Sequence, residues 1–333
     1  MRVLMFGRGV IATIYGWALE RAGHDVEFYV RPGRAATYGD AVSLDLHDMR
    51  RQGDGRRADG RQVRQEWPVR YRETLDPDHD FDLIVLSVGH HHLAEAADFL
   101  APRIGNATVF VFGNIWSEPL DAIGDLPPDR LAWGFPQAGG GFGADGTLAG
   151  TLLNSVMFGT LGGQASRREQ DVRRVFREAG FKLREQRDFR GWLWIHFAAD
   201  AGMHAQGLQA GSLSELVGSR RGFREALLTT RELLPLLEAR GVDLRRHWRS
   251  TLLFRAPATM TSAILAWATT HVPFVGRSLA AHTDPDAEEP RAVCRDTLAE
   301  ARRLGIAAPR LEAAAPGFAA TGSPTNETGA PAA

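Results

Sequence analysis

Apolar runs of strand length alternate with helix-period segments through the first half of the chain. The first unit has a strand-like run over 3–6, a turn with Gly7 and Gly9, a helical pattern that stops at Gly23, and a second strand over 26–30. Apolar residues three and four apart indicate a helix, and short continuous apolar runs indicate buried strands. The unit predicts a β-α-β fold of the size of a mononucleotide-binding half.

The alternation continues downstream of this unit. FDLIVLSVG (81–89) and ATVFVFGN (107–114) are typical of buried strands, and the helical pattern between them begins at three consecutive histidines. Residues 131–163 alternate short strand-like runs with glycines. Residues 48–66 are rich in arginine and glycine and nearly free of apolar side chains, which predicts a solvated loop or hairpin.

From Ser166 onward the pattern changes to helices. A chain of 333 residues exceeds what one hydrophobic core usually supports, so two domains are expected. We predict an α/β fold with an N-terminal Rossmann-type doubly wound sheet and a C-terminal all-helical domain. The expected boundaries are 1–164 for the sheet domain, 165–315 for the helical domain and 316–333 for a disordered tail.

Composition narrows the possible partners. Lys+Arg 39 against Asp+Glu 40 leaves a formal net charge of -1, so no overall field favours nucleic acid or a membrane. The only cysteine, Cys294, excludes an intrachain disulfide and fits a reducing compartment. No signal peptide precedes the first strand, and no apolar stretch is long enough to cross a bilayer. We expect a cytoplasmic protein whose partner is a small molecule.

Gly7-x-Gly9-x-x-Ala12 follows a strand and opens a helix, which is the setting that a dinucleotide-binding fingerprint requires. The first glycine permits the tight turn, the second lets the backbone approach a pyrophosphate, and Ala12 lets the helix pack on the sheet. Backbone N–H groups of Val10 and Ile11 at the helix start would hold the phosphates. The alternative is an ordinary strand–helix turn that happens to contain glycines.

The end of the second strand indicates which dinucleotide binds. NAD-preferring sites place Asp or Glu there to accept from the ribose 2′-hydroxyl. This chain has Arg31 at the position and Arg34 close behind. A guanidinium suits a 2′-phosphate and offers no acceptor to the hydroxyl, so the sequence predicts NADPH as the cofactor. The alternative is that either arginine is a solvated surface charge.

With these motifs the chain resembles the ketopantoate reductase (2-dehydropantoate 2-reductase) family over most of residues 1–312. The resemblance depends on five segments in this order: GRGVIATIYGWALERAGHDVEFYVR, DLIVLSV, VFVFGN, RGWLWIHFAAD and EEPRAVCRDTLAEARRLGIAAP. It implies an NADPH-binding α/β domain, a helical domain, and a cleft between them where a hydride reduces the ketone of a 2-oxo acid. It also implies a homodimer through the helical domain.

The resemblance assigns roles to individual residues. Four residues fall on the family's cofactor motif: Gly7, Gly9, Ala12 and Arg31. Asn114 falls on an asparagine at the cleft, near the nicotinamide ribose and the substrate. Glu289 falls on an acidic residue that contacts substrate, and Ser278 on a substrate-contacting serine with an ambiguity of one position.

The chain departs from the family pattern at the lysines. The family's catalytic lysine lies on the Trp-containing helix, where this chain has His196, and two asparagines further along that helix are here Asp200 and His204. A second lysine, after DLIVLSV, is replaced by Gly89, next to the histidine run 90–92. Because fold does not fix function, the resemblance alone does not assign ketopantoate reductase activity.

His196, Asp200 and His204 are spaced by four residues, which places them on one face of a helix. An imidazolium, with an unperturbed pKa of about 6.5, can donate the proton that a ketone needs as hydride arrives. We therefore hypothesise a His196–Asp200 dyad in place of the lysine, with Asn114 and Glu289 as further catalytic candidates and His204 toward the substrate. The alternative is a structural row whose polar groups satisfy one another.

Two interpretations of the histidines involve a bound ligand, either a metal ion or the cofactor. His and carboxylate side chains one turn apart can share a metal ion, but no compact metal motif is present and we predict no metal. The histidine run is expected to begin a helix over the cofactor, with His92 near the ribose or adenine and Gly89 in the same site.

Two further stretches bear on the cleft. The glycines of FPQAGGGFG (135–143) permit close approach to a ligand, or else belong to a flexible hairpin. Trp116, Trp192 and Trp194 line the cleft or belong to the core. If they line the cleft, the substrate is bulkier and less polar than ketopantoate.

These observations together predict an NADPH-dependent oxidoreductase acting on a ketone (2-oxo acid-like) or an imine. One alternative is a redox-neutral acid/base enzyme, a cyclase or isomerase, in which NADP(H) is structural. Another is an NADPH-binding paralogue without catalytic activity.

Overall fold

The computed structural model describes residues 1–50, 60–284 and 287–319. The strands are β1 (Arg2–Phe6), β2 (Asp25–Tyr29), β3 (Ala41–Asp48), β4 (Arg61–Pro68), β5 (Tyr71–Arg72), β6 (Leu83–Leu86), β7 (Thr108–Phe112), β8 (Leu131–Phe135), β9 (Ala138–Phe142), β10 (Leu148–Leu152), β11 (Ser155–Gly159) and β12 (Lys182–Gln186). The helices are α1 (Val10–Glu20), α2 (Ala35–Tyr38), α3 (Leu93–Leu100), α4 (Arg167–Glu178), α5 (Phe189–Ala210), α6 (Arg220–Glu232), α7 (Leu234–Ala239), α8 (Trp248–Arg255), α9 (Ala258–His271), α10 (Pro273–Ala280), α11 (Glu288–Arg303) and α12 (Pro309–Ala313).

The larger sheet has eight strands in the order β12-β11-β8-β7-β6-β1-β2-β5. Neighbouring strands are parallel except β8 and β11. Strands β1, β6 and β7 are almost wholly buried, as expected of parallel strands covered on both faces. Their carboxyl ends meet at one edge of the sheet, so the loops with Gly7, Gly89 and Asn114 lie side by side there.

A second, four-stranded sheet, in the order β4-β3-β10-β9, was not predicted. Strands β3 and β4 form an antiparallel hairpin that pairs Ala41 with Pro68 and Asp48 with Arg61. The hairpin alternative for residues 48–66 is therefore confirmed where the structure describes them, and residues 51–59 lie outside the described part.

Strand β9 carries the glycines of FPQAGGGFG and pairs antiparallel with β10. A Cβ on Gly139 would lie 2.2 Å from Ser278 Oγ, and one on Gly141 would lie 2.0 Å from the carbonyl oxygen of Ala281. These glycines therefore let the C-terminal end of α10 pack closely against β9. The segment itself is a regular strand of a hairpin.

Helix α5 is the central helix of the C-terminal region and packs against α6, α8 and α11. A Cβ on Gly202 would lie 2.2 Å from Thr230 Oγ1 and 2.7 Å from the carbonyl oxygen of Ala226. Glycine at this position therefore lets α5 and α6 approach closely. Half of the residues of α5 are buried, and its partly accessible positions include His196, Asp200 and His204.

The predicted fold class, an α/β sheet region followed by helices, is confirmed. The boundary expected near residue 164 nevertheless cuts the sheet, because α4 packs on β8 and β12 pairs with β11. The sheet region continues to Gln186, and the all-helical region begins at Phe189.

The start of the tail predicted from residue 316 is packed against the protein. Phe318 is 2% exposed and joins the core around α5 and α11. Residues 320–333 lie outside the described part. None of the helices in the described ranges is long and apolar enough to span a membrane.

Candidate active site

The glycine loop connects β1 to α1. Gly7 has a φ of 90°, which favours glycine, and its N–H donates to the carbonyl oxygen of Tyr29 at 2.9 Å. No side chain caps α1 at Gly9, and a Cβ on Gly9 would meet nothing within 4 Å. The N–H groups of Val10 and Ile11 thus start a helix that faces open space, and Ala12 packs in the core behind them. The loop fits the pyrophosphate of a dinucleotide.

Arg31 and Arg34 lie at the far end of β2, and both are exposed. Between them Gly33 has a φ of 80°, and the Arg34 N–H donates to the carbonyl oxygen of Arg31 at 3.1 Å, which closes a tight turn. The Arg34 guanidinium lies 5.2 Å from the ring centroid of Tyr38. Arg34 also donates from Nη2 to the Tyr38 hydroxyl at 3.3 Å, and both exposed guanidinium groups lie where a phosphate could reach them at the sheet edge.

Two residues near this turn were missed from the sequence. The Arg8 guanidinium lies 4.7 Å from the ring of Tyr38 and 4.6 Å from that of Phe142, which adds a third cation to the glycine loop. Its position inside the glycine motif was the available signal. Glu73 accepts from the N–H of Ala35 at 2.8 Å, and such backbone bonds hold the pKa of Glu73 below its usual range. Glu73 thereby fixes the turn that carries Arg31 and Arg34.

Asp200 connects the sheet edge to α5. Its Oδ2 accepts from Asn114 Nδ2 at 2.8 Å and lies 3.4 Å from His196 Nε2. Asn114 follows β7, so one carboxylate oxygen joins a loop of the sheet to the histidine one turn earlier on α5. Asn114 Oδ1 is buried and has no hydrogen-bond partner within the described ranges.

Aromatic side chains surround His196. The ring of Trp192 stacks on the imidazole with centroids 5.3 Å apart, and Phe135 meets it edge-on at 4.4 Å. Phe135 ends β8, and its contact with His196 was not predicted from the sequence. Of the three tryptophans considered from the sequence, Trp192 lines the site, whereas Trp194 is 1% and Trp116 8% exposed and both belong to the core.

His204 lies one turn beyond Asp200. Burial lowers its pKa to about 4 despite the nearby Asp200 carboxylate, and its Nδ1 has no hydrogen-bond partner in the part of the chain that is described. His282, which sequence reasoning missed, also has a pKa lowered by burial, and its Nδ1 donates to the carbonyl oxygen of Ser278 at 2.8 Å. Ser278 Oγ faces Gly139, so the predicted substrate-contacting serine lies against β9.

Glu289 lies in the first turn of α11 and faces Gly89. A Cβ on Gly89 would be 3.8 Å from Glu289 Cδ. Part of Glu289 is accessible to solvent, but desolvation of its carboxyl group by the surrounding protein raises its pKa, and the Asp200 carboxylate raises it further. Glu289, Asp200 and Gly89 therefore lie around the same recess.

The histidine run begins a helix, as predicted, through a 3₁₀ turn at His90–His92 that leads into α3. His90 Nε2 lies 2.8 Å from Asp296 Oδ2, and its ring meets Phe197 edge-on at 4.8 Å. His90 thus joins the sheet edge to α11. The His92 side chain is 60% exposed, and its contact with a cofactor stays a prediction.

The structure brings the predicted site residues into two groups. The glycine loop with Arg31 and Arg34 forms one group, and the other comprises Gly89, Asn114, His196, Asp200, His204 and Glu289. Among the residues in the described ranges, no three His, Cys, Asp or Glu side chains form a metal-binding group.

Residues 3–118 match the sequence model of ketopantoate reductase PanE/ApbA. The predicted resemblance is confirmed over this segment, which includes the glycine loop and Asn114. No curated protein matches the chain.

Solved structures with the same fold extend the comparison to the helical region. The chain is 19% identical to 2-dehydropantoate 2-reductase from Geobacter metallireducens GS-15, with a TM-score of 0.64 over 96% of this chain and 99% of that one. A PanE/ApbA family ketopantoate reductase from Ralstonia eutropha JMP134 is 18% identical, with a TM-score of 0.61 over 95% and 96% of the two chains. D-mandelate dehydrogenase, in a ternary structure with NADH and anilino(oxo)acetate, is 12% identical, with a TM-score of 0.66 over 96% and 97%. These likenesses show a shared fold.

Proposed function

We propose that the protein is an NADPH-dependent reductase of a ketone or an imine. One observation carries the proposal: the Asp200 carboxylate joins Asn114 at the sheet edge to His196 on α5. This arrangement lies at the carboxyl ends of the parallel strands, where ligands bind in open α/β sheets.

The glycine loop fits the cofactor. Gly7 and Gly9 leave the N-terminus of α1 open to a pyrophosphate, and Arg31 and Arg34, supported by Arg8, suit a 2′-phosphate. When bound, NADPH would supply a hydride to the carbon of a C=O or C=N group.

His196 would supply the accompanying proton. Its Nε2 is directed at Asp200, which leaves Nδ1 as the donor to the developing oxyanion or nitrogen. Asp200 would hold the imidazole orientation and stabilise its charged form. Asn114 Oδ1, which is buried without a partner among the described residues, is available to accept from the substrate or the nicotinamide ribose.

Fluorescence titration with NADPH and NADH, followed by turnover of ketones and imines, tests this proposal. We expect tight binding of NADPH and weak binding of NADH. His196→Ala should lower turnover on the order of 100-fold or more, which is typical of losing a general acid, without changing the NADPH dissociation constant. His271→Ala is the matched control, because His271 is an exposed histidine on α9.

Four outcomes would contradict parts of the proposal. If neither nucleotide binds, the cofactor assignment is wrong. If His196→Ala retains full turnover, the dyad is wrong. Turnover without net change in nicotinamide absorbance would instead favour the redox-neutral alternative, and NADPH binding without any turnover would favour the non-catalytic one.

We also propose that the protein is a homodimer through the helical region. Six large apolar side chains are each at least 43% exposed on two successive helices: Trp248, Leu252 and Leu253 on α8, and Met260, Ile264 and Trp267 on α9. Large exposed apolar surface in a globular protein marks an interaction site. A cytoplasmic location stays a prediction from the sequence.

Sedimentation velocity tests the dimer. We expect Ile264→Ser with Trp267→Ser to shift the protein from dimer to monomer without lowering its unfolding temperature, because these side chains are not part of the core. Leu120→Ser, at an apolar side chain 50% exposed outside the helical region, should leave the dimer intact. A wild-type monomer would refute the proposal.

A further inference from the structure

The recess around Asp200 is lined by carboxyl groups without a fixed cation. Asp200 pairs with His196, and no arginine or lysine within the described ranges forms an ion pair with Asp200 or Glu289. The chain has a single lysine, Lys182, at the start of β12. Lys182 forms no ion pair with Asp200 or Glu289 in the part of the chain that is described.

The neighbouring histidines do not replace that charge near neutral pH. Burial lowers the pKa of both His204 and His282, which favours the neutral form of each imidazole. His90 Nε2 is paired with Asp296 Oδ2 at 2.8 Å, although His90 also lies near enough to act on the Glu289 carboxyl. Among the residues described, His196 is the one histidine within ion-pair distance of Asp200, and no cationic group lies within that distance of Glu289.

We propose that the recess takes a substrate with a cationic nitrogen, such as an amino ketone or an imine, in preference to an anionic 2-oxo acid; this rests on the proposed function. A cation would be attracted to the Asp200 carboxylate, and it would favour the ionised form of Glu289, whose pKa the desolvated surroundings raise. A substrate carboxylate would instead meet Asp200 as a like charge, and like charges in a partly desolvated site discriminate against the ligand.

The aromatic wall fits the rest of such a substrate. Phe135 and Trp192 lie edge-to-face with centroids 5.1 Å apart beside His196. They offer an apolar surface to the body of the ligand, while Asp200, one turn along α5, offers a charge to its nitrogen. The site thereby offers an apolar surface to one part of the substrate and a negative charge to its nitrogen.

Equilibrium binding of three probes of the same size tests the proposal: benzylamine, benzoate and benzyl alcohol. Calorimetric titration of the NADP⁺-loaded protein, with a repeat on the free protein, should show benzylamine binding at least tenfold more tightly than benzoate, with benzyl alcohol between them. Glu289→Gln and Asp200→Asn should each reduce the benzylamine-to-benzoate ratio at least threefold. Glu238→Gln is the matched control, because Glu238 is an exposed carboxylate on α7 and should leave the ratio unchanged.

Benzoate binding as tightly as benzylamine, no binding of benzylamine, or a ratio unchanged in both variants would overturn the proposal. These outcomes are distinct from failure of the proposed function. If NADPH does not bind, the reductase proposal fails while the probe preference is still measured on the free protein. If NADPH binds and benzoate is preferred, the charge argument alone is wrong.

Discussion

The glycine loop and the exposed face of α5 lie near the same edge of the sheet but depart from the family pattern to different degrees. The loop has the features that the proposed dinucleotide site requires: a left-handed Gly7, an α1 without a side-chain cap and arginines after β2. The face of α5 carries His196, Asp200 and His204, the three positions at which the resemblance leads us to expect a lysine and two asparagines.

The difference follows from what each region would bind under the proposed function. Phosphates are held by backbone N–H groups and by the helix dipole, which require a particular backbone conformation rather than particular side chains. Substrate chemistry depends on the charge and pKa of individual side chains, which can change while the helix stays in place. The two regions should therefore be separable by mutation.

Gly9→Val should have the largest effect on the cofactor region. Gly9 precedes α1 with a φ of -72°, which valine also adopts, and its Cβ would enter the open space assigned to the pyrophosphate. We expect NADPH affinity to fall on the order of 100-fold, or about 3 kcal/mol, while placing valine instead of glycine at the N-cap position costs about 1 kcal/mol of stability at most. Fluorescence titration and urea unfolding measure the two effects.

A second variant should affect the α5 row and leave the cofactor region unchanged. Asp200→Asn preserves an oxygen that can accept from Asn114 Nδ2 but removes the charge that supports the His196 imidazolium. It should lower turnover and leave NADPH binding as in the wild type. If Asp200→Asn weakened NADPH binding as strongly as Gly9→Val, the two regions would be one site and the comparison would fail.

Arg31→Ala should have a smaller and selective effect. A charge-assisted hydrogen bond to a phosphate contributes roughly 1.5–3 kcal/mol, so removing it should weaken NADPH binding by about tenfold or more and leave NADH binding unchanged. Parallel titrations with both nucleotides measure the ratio. An equal loss of affinity for NADPH and NADH would mean that Arg31 contacts a part of the cofactor that both nucleotides share, or that it stabilises the turn.

The first β-α-β unit and the α5 row could be predicted because local periodicity determines them. The second sheet could not: β9 is AGGGF, whose glycines have low strand propensity, and its position depends on contacts with β10 and α10. Strand β12, KLREQ, is mostly polar and at the sheet edge, so it lacks the apolar run of a buried strand. These elements are defined by partners distant in sequence.

The same reason explains what was missed in the site. Phe135 and His282 contact or surround the α5 row only because β8 and α10 are folded against it. Arg8 lay within a recognised motif, but its contacts with Tyr38 and Phe142 come from other segments. Sequence spacing predicts which residues share a helix face, and only the tertiary fold shows what opposes that face.

The smallest expected effect is the contribution of His204 to the pH dependence of the free energy of unfolding. Its pKa is about 4 in the folded protein, mainly because of burial, against about 6.5 when unfolded. Between pH 4 and pH 6.5 the unfolded chain binds more protons than the folded chain. The contribution of His204 to the free energy of unfolding is therefore fully present above about pH 6.5 and decreases as the pH drops toward 4. The full shift corresponds to about 3 kcal/mol, and the partial accessibility of the residue reduces the expected effect to roughly 1–2 kcal/mol.

Urea unfolding of the wild type and His204→Gln at pH 7 and pH 5 isolates this contribution. Glutamine cannot titrate, so the variant should lose less stability than the wild type on going to pH 5. His271→Gln removes an exposed histidine and should keep the wild-type dependence. An identical loss in His204→Gln would mean that water or a proton donor reaches His204 in the folded protein. In that case solvent reaches the recess more than its geometry indicates. The neutral form of His204 would then no longer support a preference for cationic substrates.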